Sequence, residues 1–441
     1  MAQEFTRRTF LRLTAAGVAR SALGPYFLFP KKAEAQRKVL KIIQFSHFVP
    51  EFDHWFDHVF CKTWGDKHDT TVMVDHITVS ELPSRAAAEA AARHGHDLFD
   101  LQSPPAAYEK LVIDHKEIYR EVERKHGKPV ALAIKSTFNP KTGKYYAFSP
   151  SYVPDVGNYR KDLWEQVGYP NGPDTWDDLR TGSKKIYDKF GNPCGLGLSQ
   201  EVDSNMSLRA LLWSFGGSEQ DEHGNVAINS KATIEALKFM RALFKESETA
   251  EVFTWDATSN NRAMLSGRAS YAMNPISITR TAEKHNPDMS RKIQVCQALK
   301  GPARRVAPPD PMDCYLIWDF AENKEGAQQF LIDYADDFAA AFRASQSYNF
   351  PSFPGTVPDL ASLLAKDASA TPTDKYKKLS NVQEWITNVG FPGYATPALD
   401  EVFNTFMIPT MFARVARDRM SPEGAASDAE RQMNRIFAKW K

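Results

Sequence analysis

One run near the middle of the chain, residues 143–179, constrains the fold more than any other segment. It reads GKYYAFSPSYVPDVGNYRKDLWEQVGYPNGPDTWDDL. An aromatic segment broken by prolines, which favours extended backbone, leads directly into the start of a second α/β unit. Asp174 or Thr175 can cap the helix that begins there. A chain that crosses from one lobe to another needs such a junction, so the run predicts a two-lobed protein.

The length and the charge of the chain limit the class of protein. A chain of 441 residues predicts two or three folding units, and 42% apolar residues supply sizeable cores. Without residues 1–35, the net charge changes from +1 to −3, because that segment holds six basic and two acidic side chains. A mildly acidic body with no basic stripe argues against nucleic acid as the partner.

The first 35 residues predict export. Residues 6–12 read TRRTFLR, a modestly apolar stretch follows over residues 13–29, and Ala33-Glu34-Ala35 offers small residues to a signal peptidase. This pattern resembles a bacterial twin-arginine signal that is cleaved before Gln36, and it implies a periplasmic protein. The alternative is a basic, amphipathic N-terminal helix.

The four cysteines leave their pairing open. An oxidising compartment permits disulfides, and four cysteines allow three full pairings. No CxxC spacing supports redox or zinc chemistry, and no cysteine follows the signal closely enough for a lipid anchor. The residues concerned are Cys61, Cys194, Cys296 and Cys314.

The periodicity of residues 38–101 predicts one α/β unit. Residues 39–45, 71–79 and 97–101 favour strands, while residues 50–64 and 80–95 favour helices. Strands that alternate with helices predict a parallel sheet with right-handed crossovers.

The remaining segments predict a second set of elements. Short strands are expected over residues 269–273 and 292–297, and loops over residues 301–311 and 345–358. The expected helices cover residues 173–190, 208–215, 230–246, 325–342, 400–419 and 423–440.

Most of residues 37–440 resemble bacterial extracellular solute-binding protein family 1, the sugar-binding periplasmic proteins of ABC importers. The strongest signal is YVPDVGNYRKDLWEQVG within residues 143–176, which is similar to a crossing strand followed by a short helix. Further along the chain, three short motifs occur in the same order as in the family: Gly-Gly, Gly-Asn-Val and Asn-Ser. The five similar blocks are residues 38–101, 143–176, 211–243, 255–274 and 391–440.

The resemblance implies an α/β protein of the periplasmic-binding-protein type II fold, with two discontinuous lobes, a hinge and a ligand cleft between the lobes. Ligand closes such lobes by hinge motion. Lobe 1 is expected over residues 36–152 and 298–348, and lobe 2 over residues 153–297 and 349–441. The hinge crossings are expected near residues 151–156, 297–301 and 347–358.

The resemblance also implies a function. The protein is expected to bind a mono- or oligosaccharide and to deliver it to the membrane subunits of an ABC importer, as a monomer without a cofactor. A polyol, a phosphorylated polyol or an organic acid is the alternative ligand, and an anion would recruit Arg209, Arg262 or Arg343. A sensor-coupled receptor and an exported enzyme are further alternatives, although no catalytic or cofactor motif is visible.

A sugar site needs aromatic platforms and short polar side chains. Trp255 is the preferred platform, with a buried core position as its alternative, and Trp164, Trp176 and Trp213 are expected in cores. The polar candidates follow strands or begin helices, where Ser and Asn also form ordinary caps and turns. The full set of predicted ligand contacts is Ser46, His47, Gln102, Ser103, Tyr152, Ser204, Asn205, Trp255, Asn274, Asp313 and Tyr394.

The spacing of two histidines is compatible with a metal site. His54 and His58 are four residues apart on a predicted helix, but HExxH is absent and no third ligand is evident. A solvated polar face is the favoured interpretation, and no metal site is expected.

Overall fold

A computed structural model describes residues 37–441. The twin-arginine motif and the expected cleavage before Gln36 lie outside these residues. Among the described residues, no helix combines the length and the apolar character needed to cross a bilayer.

Strands and helices alternate through the first half of the chain, and helices dominate the second half. The strands are β1 Lys38–Phe45, β2 Thr70–Ile77, β3 Leu98–Leu101, β4 Phe138–Asn139, β5 Lys144–Tyr145, β6 Ser151–Pro154, β7 Val156–Arg160, β8 Tyr271–Asn274, β9 Ile293–Cys296, β10 Pro309–Met312, β11 Cys314–Ile317 and β12 Phe350–Pro351.

The α-helices are α1 Pro50–Trp55, α2 Lys62–Lys67, α3 Leu82–Ala92, α4 Lys116–His126, α5 Ala131–Thr137, α6 Lys161–Trp164, α7 Trp176–Phe190, α8 Val202–Ser214, α9 Lys231–Ser247, α10 Ser259–Leu265, α11 Ser277–His285, α12 Pro287–Lys292, α13 Lys324–Asp336, α14 Phe338–Ala344, α15 Leu360–Ala365, α16 Pro397–Asn404, α17 Met407–Ala416 and α18 Pro422–Lys439. A π-helical segment, Phe56–Cys61, joins α1 to α2.

The first sheet has the strand order β11-β3-β1-β2. Strand β1 pairs in parallel with β2 over its whole length and with β3 at two positions, which confirms the predicted parallel unit. Strand β11 comes from a much later part of the chain. It forms one edge of the sheet and pairs antiparallel with β3. The burial of every side chain in β3 and β11 shows that these two strands are covered on both faces.

The second sheet has the order β8-β7-β9, with β7 antiparallel to both neighbours. Its strands are fully or nearly fully buried. Trp164 and Trp176 are buried beside this sheet and Trp213 is buried in α8, so the predicted core positions of these three residues are confirmed.

A third, small sheet joins the two sheet regions, with the order β10-β6-β12. Residues 301–311 were expected to form a loop, but residues 309–312 form β10. Prolines are tolerated in β10 because it is an edge strand, where a missing N–H breaks no inner ladder. Upstream of β10, Lys300 bridges to Thr175, so residues near 300 still lie with the second sheet.

Three predicted helices differ from the observed ones. The helix expected over residues 400–419 is divided into α16 and α17 at Phe406, whose φ of 50° lies in the left-handed region. The helix expected over residues 208–215 begins at Val202, because Glu201 accepts hydrogen bonds from its first backbone N–H groups. The helix expected over residues 325–342 is divided into α13 and α14 at Asp337.

The cysteines are buried and form no disulfide in the described part of the chain. Burial raises the pKa of all four thiols, so that the neutral thiol is favoured at each site.

The start of α7 follows the capping prediction. Thr175 accepts a hydrogen bond from the Asp178 N–H at 3.0 Å, and the Asp178 carboxylate accepts the Thr175 N–H at 3.0 Å. Replacing Thr175 with alanine is expected to lower the free energy of unfolding by about 1 kcal/mol, since one helix-terminal N–H loses its partner. Denaturant unfolding measures the change. Thr175→Ser retains the hydroxyl and is the matched control, which should remain close to the unsubstituted protein; an equal loss in both variants contradicts the capping role.

Candidate functional site

Four carboxyl groups meet where the small sheet faces the N-terminus of α8. Asp155 joins β6 to β7, and Asp310 lies in the adjacent strand β10. Glu201 caps α8, and Asp203 lies in its first turn. All four side chains are buried. We call this group the acid cluster.

The pairing of β6 with β10 positions two of these acids, and the helix cap positions the other two. The Glu201 carboxylate accepts the Ser204 N–H at 2.5 Å and the Asp203 N–H at 2.7 Å, as a helix N-cap requires. Asp203 also accepts Asn260 Nδ2 at 2.8 Å. Asp203 and Asp310 are close enough to shift each other's pKa.

The acid cluster is short of hydrogen-bond donors. Both carboxylate oxygens of Asp155 and the Oδ2 atom of Asp310 have no hydrogen-bond partner among the described residues. Asp155 is only 1% exposed, so bulk water does not supply the missing donors. Unpaired buried acceptors cost free energy, and they are expected to be satisfied when the site is in use.

Burial is the main cause of the unusual acidity of the cluster. It raises the pKa of Glu201 and of Asp310 to about 7. Burial, followed by the charges of the neighbouring acids, raises the pKa of Asp155 and of Asp203 well above the ordinary range. At neutral pH the protein without ligand therefore holds several of these groups as neutral acids.

A second acid pair lies at the adjoining end of the first sheet. Asp100 lies in β3, and Asp313 lies between β10 and β11. Gln102 donates to Asp100 at 2.7 Å, and the Ser151 hydroxyl donates to Asp313. Burial raises the pKa of Asp313 to about 6, and burial together with the charge of Asp313 raises the pKa of Asp100. The Oε1 atom of Gln102 remains without a partner within residues 37–441.

Amide side chains border the acid cluster on the side of the second sheet. Asn260 donates to Asn274 Oδ1 at 3.1 Å, in addition to its bond with Asp203. Asn274 donates to Ser277 Oγ at 3.0 Å, and Asn158 donates to the Asn274 carbonyl at 2.7 Å. These contacts hold the amides in fixed orientations beside the acids.

Aromatic rings border the opposite side. Tyr348 is buried, and its ring meets His47 edge-on with centroids 5.0 Å apart. Burial lowers the pKa of His47 to about 4, so its imidazole is neutral. Because Val49 N–H donates to His47 Nδ1 at 2.9 Å, the ring proton is assigned to Nε2, which donates to Asn349 at 3.1 Å. The charges of Asp310 and Asp203 are among those that raise the pKa of Tyr348, which places this phenol beside the cluster.

The structure brings part of the predicted ligand set together. Gln102, Asp313 and Asn274 lie at the acid pair or beside the cluster, as described above. His47 contacts Tyr348, and Tyr152 lies in β6, where its hydroxyl accepts a hydrogen bond from Gln383. Whether these residues contact ligand stays a prediction.

Several other predicted contacts have local partners instead. The Ser204 hydroxyl donates to Glu201, and both groups of the Asn205 amide are used by Arg209 and the Phe403 carbonyl. Ser46 is exposed at the end of β1, and Ser103 is half-buried. The contacts of Ser204 and Asn205 favour a local role at the start of α8, in line with the capping role that is their alternative.

The two remaining aromatic candidates form no hydrogen bond or ring contact with the acid cluster within residues 37–441. Trp255 is half-buried against the hydrophobic core and approaches Gly195, which favours packing over stacking. Tyr394 is half-buried, and its ring lies 6.3 Å from the ring of Phe138. Both assignments as ligand contacts stay predictions.

Sequence reasoning missed the acid cluster itself. Asp155 and Asp310 follow or interrupt proline-rich strand segments, VPD and PPDP, where acids are uncommon in buried strands. That oddity was the available signal. Glu201 and Asp203 carried no comparable signal, because acids before a helix are ordinary caps.

The histidine pair does not form a metal centre with its neighbours. The rings of His54 and His58 are 5.0 Å apart on an exposed face. Asp57 is instead bonded to His76 at 3.0 Å. The part of the chain that the structure covers contains no group of three His, Cys, Asp or Glu side chains suited to a metal.

Comparisons with known proteins agree with this architecture. A maltose-bound MalE3 protein of T. maritima superposes with a TM-score of 0.75 at 20% identity, covering 90% of this chain and 99% of that one. A protein described as an oligosaccharide periplasmic-binding protein, from Synechococcus sp. MITs9220, gives a TM-score of 0.76 at 18% identity, covering 91% and 100%. At these identities the likeness shows the fold, with its two discontinuous α/β lobes, hinge and intervening cleft.

Curated relatives match over shorter stretches. A binding protein of Brucella abortus (strain 2308) is 22% identical over 209 residues, which are 47% of this chain and 50% of that protein. An arabinooligosaccharide-binding protein of Halalkalibacterium halodurans is 25% identical over 122 residues, 27% of each chain. The chain thus matches half or less of the length of these relatives.

A family model gives the broadest sequence match. Described as "Bacterial extracellular solute-binding protein", it aligns with residues 60–372, which are most of the chain. The chain therefore belongs to the bacterial extracellular solute-binding protein family.

Proposed function

We propose that this protein is the periplasmic receptor of an ABC importer, that it binds a carbohydrate between its lobes, and that it delivers this ligand to the membrane subunits. It is exported, in this proposal, by the twin-arginine signal of residues 1–35. The observation that carries the proposal is the convergence of buried polar side chains from both sheets and from the small joining sheet. Such a site can satisfy many hydroxyl groups at once.

The small sheet supports a revised hinge. We propose that its three strands, Ser151–Pro154, Pro309–Met312 and Phe350–Pro351, are the crossings between the lobes. The second crossing then lies near residues 309–312 instead of residues 297–301, because Lys300 pairs with Thr175 on the side of the second sheet. The first and third crossings keep their expected places.

Contacts between the lobes support a closed arrangement. Glu51 of α1 forms an ion pair with Lys284 of α11. The Ala395 N–H donates to the Lys135 carbonyl at 2.9 Å. A ligand that bridges the same two lobes favours this form through its differential affinity for it.

The charge of the site decides between ligand classes. An organic acid or a phosphorylated polyol needs arginine or another cation. Arg209 is held by Glu219, Arg262 pairs with Asp256 and Arg343 is exposed. The acid cluster would repel an anion, so neutral or cationic saccharides are favoured.

A thermal-shift screen tests the proposal. Mono- and oligosaccharides are expected to raise the unfolding temperature, and organic acids and sugar phosphates to leave it unchanged. A saccharide at 100 times its Kd should add roughly 2.7 kcal/mol of stability. Small-angle scattering on the same samples should show a more compact particle with the saccharide. A shift by anions alone contradicts the proposed ligand class.

A matched pair of variants localises the binding. Asn260→Ala removes the amide that positions Asp203 in the acid cluster and is expected to weaken saccharide binding about tenfold, the free energy of about one hydrogen bond. Asn225→Ala, in an exposed turn, is the control and should bind as the unsubstituted protein does. Equal affinities in both variants would remove Asn260 from the site.

A further inference from the structure

The acid cluster contrasts with the buried acids that form ion pairs within the fold. Glu219 is buried but paired with Arg209 at 2.6 Å, and Glu283 is paired with Lys375 at 3.0 Å. Within residues 37–441, no lysine, arginine or histidine forms an ion pair with Asp155, Glu201, Asp203 or Asp310. Asp100, Asp313, Asp400 and Glu248 are also buried without an ion pair in the described part of the chain, but only in the acid cluster do four such acids from separate elements meet.

The atoms of the cluster that lack hydrogen-bond partners are all of one kind. Asp155 Oδ1, Asp155 Oδ2 and Asp310 Oδ2 are all acceptors without donors. Hydroxyl groups of a neutral sugar could donate to them but would bring no compensating charge. An ammonium group brings three N–H donors and one positive charge to a single point. It matches the deficit of the cluster both in donors and in charge.

The energetics favour a cation over a neutral ligand. Ionised carboxylates that are buried without a counter-charge are costly, whereas a close opposite charge in a poorly screened site compensates for that cost. The raised pKa values of Glu201 and Asp310 agree with this lack of positive charge, because carboxyl groups without a nearby cation keep their protons. An arriving ammonium group would displace those protons.

We propose that the ligand carries an aliphatic ammonium group, which lies against Asp155, Asp203 and Asp310. This inference rests on the proposed function and narrows it, because among carbohydrates it selects amino sugars. Asn260 holds Asp203 in place through its hydrogen bond, and Asn274 in turn holds Asn260. Glu201 mainly caps α8 and contributes negative charge.

Three disaccharides that differ at the nitrogen test this inference. They are the β-1,4-linked glucosamine disaccharide with free amines, its N,N′-diacetyl form and cellobiose. Spermidine is added as an amine without a sugar scaffold. Calorimetry at fixed pH and ionic strength gives each affinity. We expect the free-amine disaccharide to bind at least about tenfold more tightly than the other two sugars, as a charge-assisted hydrogen bond provides.

Two variants make the test specific. Asp155→Asn is expected to reduce the preference for the free amine about tenfold to a hundredfold, because an amide supplies no negative charge. Glu248→Gln is the matched control: Glu248 is also buried with a raised pKa, but it accepts the Leu196 N–H outside the cluster. The control should keep the full preference.

The outcomes separate this inference from the proposed function. If cellobiose or the diacetyl form binds as tightly as the free amine, and Asp155→Asn leaves that ratio unchanged, the ammonium site is wrong while the sugar receptor stands. If only spermidine binds, and Asp155→Asn weakens it, the ammonium site stands while the carbohydrate function fails.

A simpler probe covers the case in which none of these ligands fits the cleft. Methylammonium chloride at high concentration, compared with sodium chloride at the same ionic strength, presents the ammonium group alone. It should raise the unfolding temperature of the unsubstituted protein and of Glu248→Gln, but not that of Asp155→Asn. Identical shifts in all three proteins would overturn the inference.

Discussion

Replacing Glu219 with glutamine is expected to lower the free energy of unfolding by about 3 to 5 kcal/mol. Glu219 and Arg209 are both fully buried, and Arg209 Nε donates to Glu219 Oε1 at 2.6 Å. Trp213 Nε1 donates to the other carboxylate oxygen at 2.8 Å. Glutamine preserves much of the shape but leaves the guanidinium charge buried without a counter-charge. Equilibrium denaturation with urea measures the loss.

Two further variants show that the unpaired charge causes the loss. The double variant Arg209→Met/Glu219→Gln removes both charges and should recover a large part of the stability, because paired burial itself carries a desolvation cost. Glu117→Gln breaks an exposed ion pair with Arg120 and should cause almost no change. A loss in Glu219→Gln no greater than in Glu117→Gln would contradict this account.

The protein without ligand is expected to lose stability as the pH rises from about 4 to about 8. Asp310 has an ordinary pKa of 3.8 when unfolded and about 7 when folded, mainly because of burial. Between these values the folded state binds more protons than the unfolded state, so the free energy of unfolding falls with rising pH. One such group accounts for at most about 4 kcal/mol. Glu201, with a folded pKa of about 7, acts in the same direction.

Urea denaturation at a series of pH values tests this effect, and substitutions identify its source. Asp310→Asn should stabilise the protein without ligand by about 1 to 3 kcal/mol at pH 8 and much less at pH 5, because it removes a buried charge that forms as the pH rises through about 7. Asp288→Asn, at an exposed position, should leave the pH profile unchanged. If the profiles of the unsubstituted protein and Asp310→Asn are parallel, the cluster does not hold protons as described.

These two predictions concern acids of opposite roles. Glu219 has its cation inside the protein and stabilises the fold, whereas Asp155 and Asp310 lack one and destabilise the empty state. Binding sites commonly lower the stability of a fold in this way, because a group that is arranged to bind a ligand lacks hydrogen-bond or charge partners without it.

Local features of the sequence predicted much of the fold. The apolar runs near residues 40 and 98 indicated buried parallel strands, and Thr175 indicated a helix start, because such signals depend only on near neighbours. The family blocks then implied two lobes and a hinge. Strand β10 escaped prediction because its prolines are acceptable only at a sheet edge, and edges are defined by pairing with distant strands.

The candidate site was predicted less completely, for the same physical reason. Gln102, Asn274 and Asp313 follow strands or crossings, and the structure places them at the acid pair or beside the acid cluster. Ser204 and Asn205 looked similar in sequence, yet their side chains are used by Glu201, Arg209 and Phe403.

The sequence alone determined the class of protein, most of its strands and helices, and the expectation that a polar cleft lies between two lobes. Only the tertiary structure decided which buried charges come together. Asp155, Asp203 and Asp310 are far apart in the chain, and each resembles an ordinary turn or cap residue in its own segment. The pairing of β10 with β6, and the contact of β10 with α8, bring them together at a buried position where no lysine, arginine or histidine of residues 37–441 forms an ion pair with them. Electrostatic energy depends on distances in space, which local patterns do not encode.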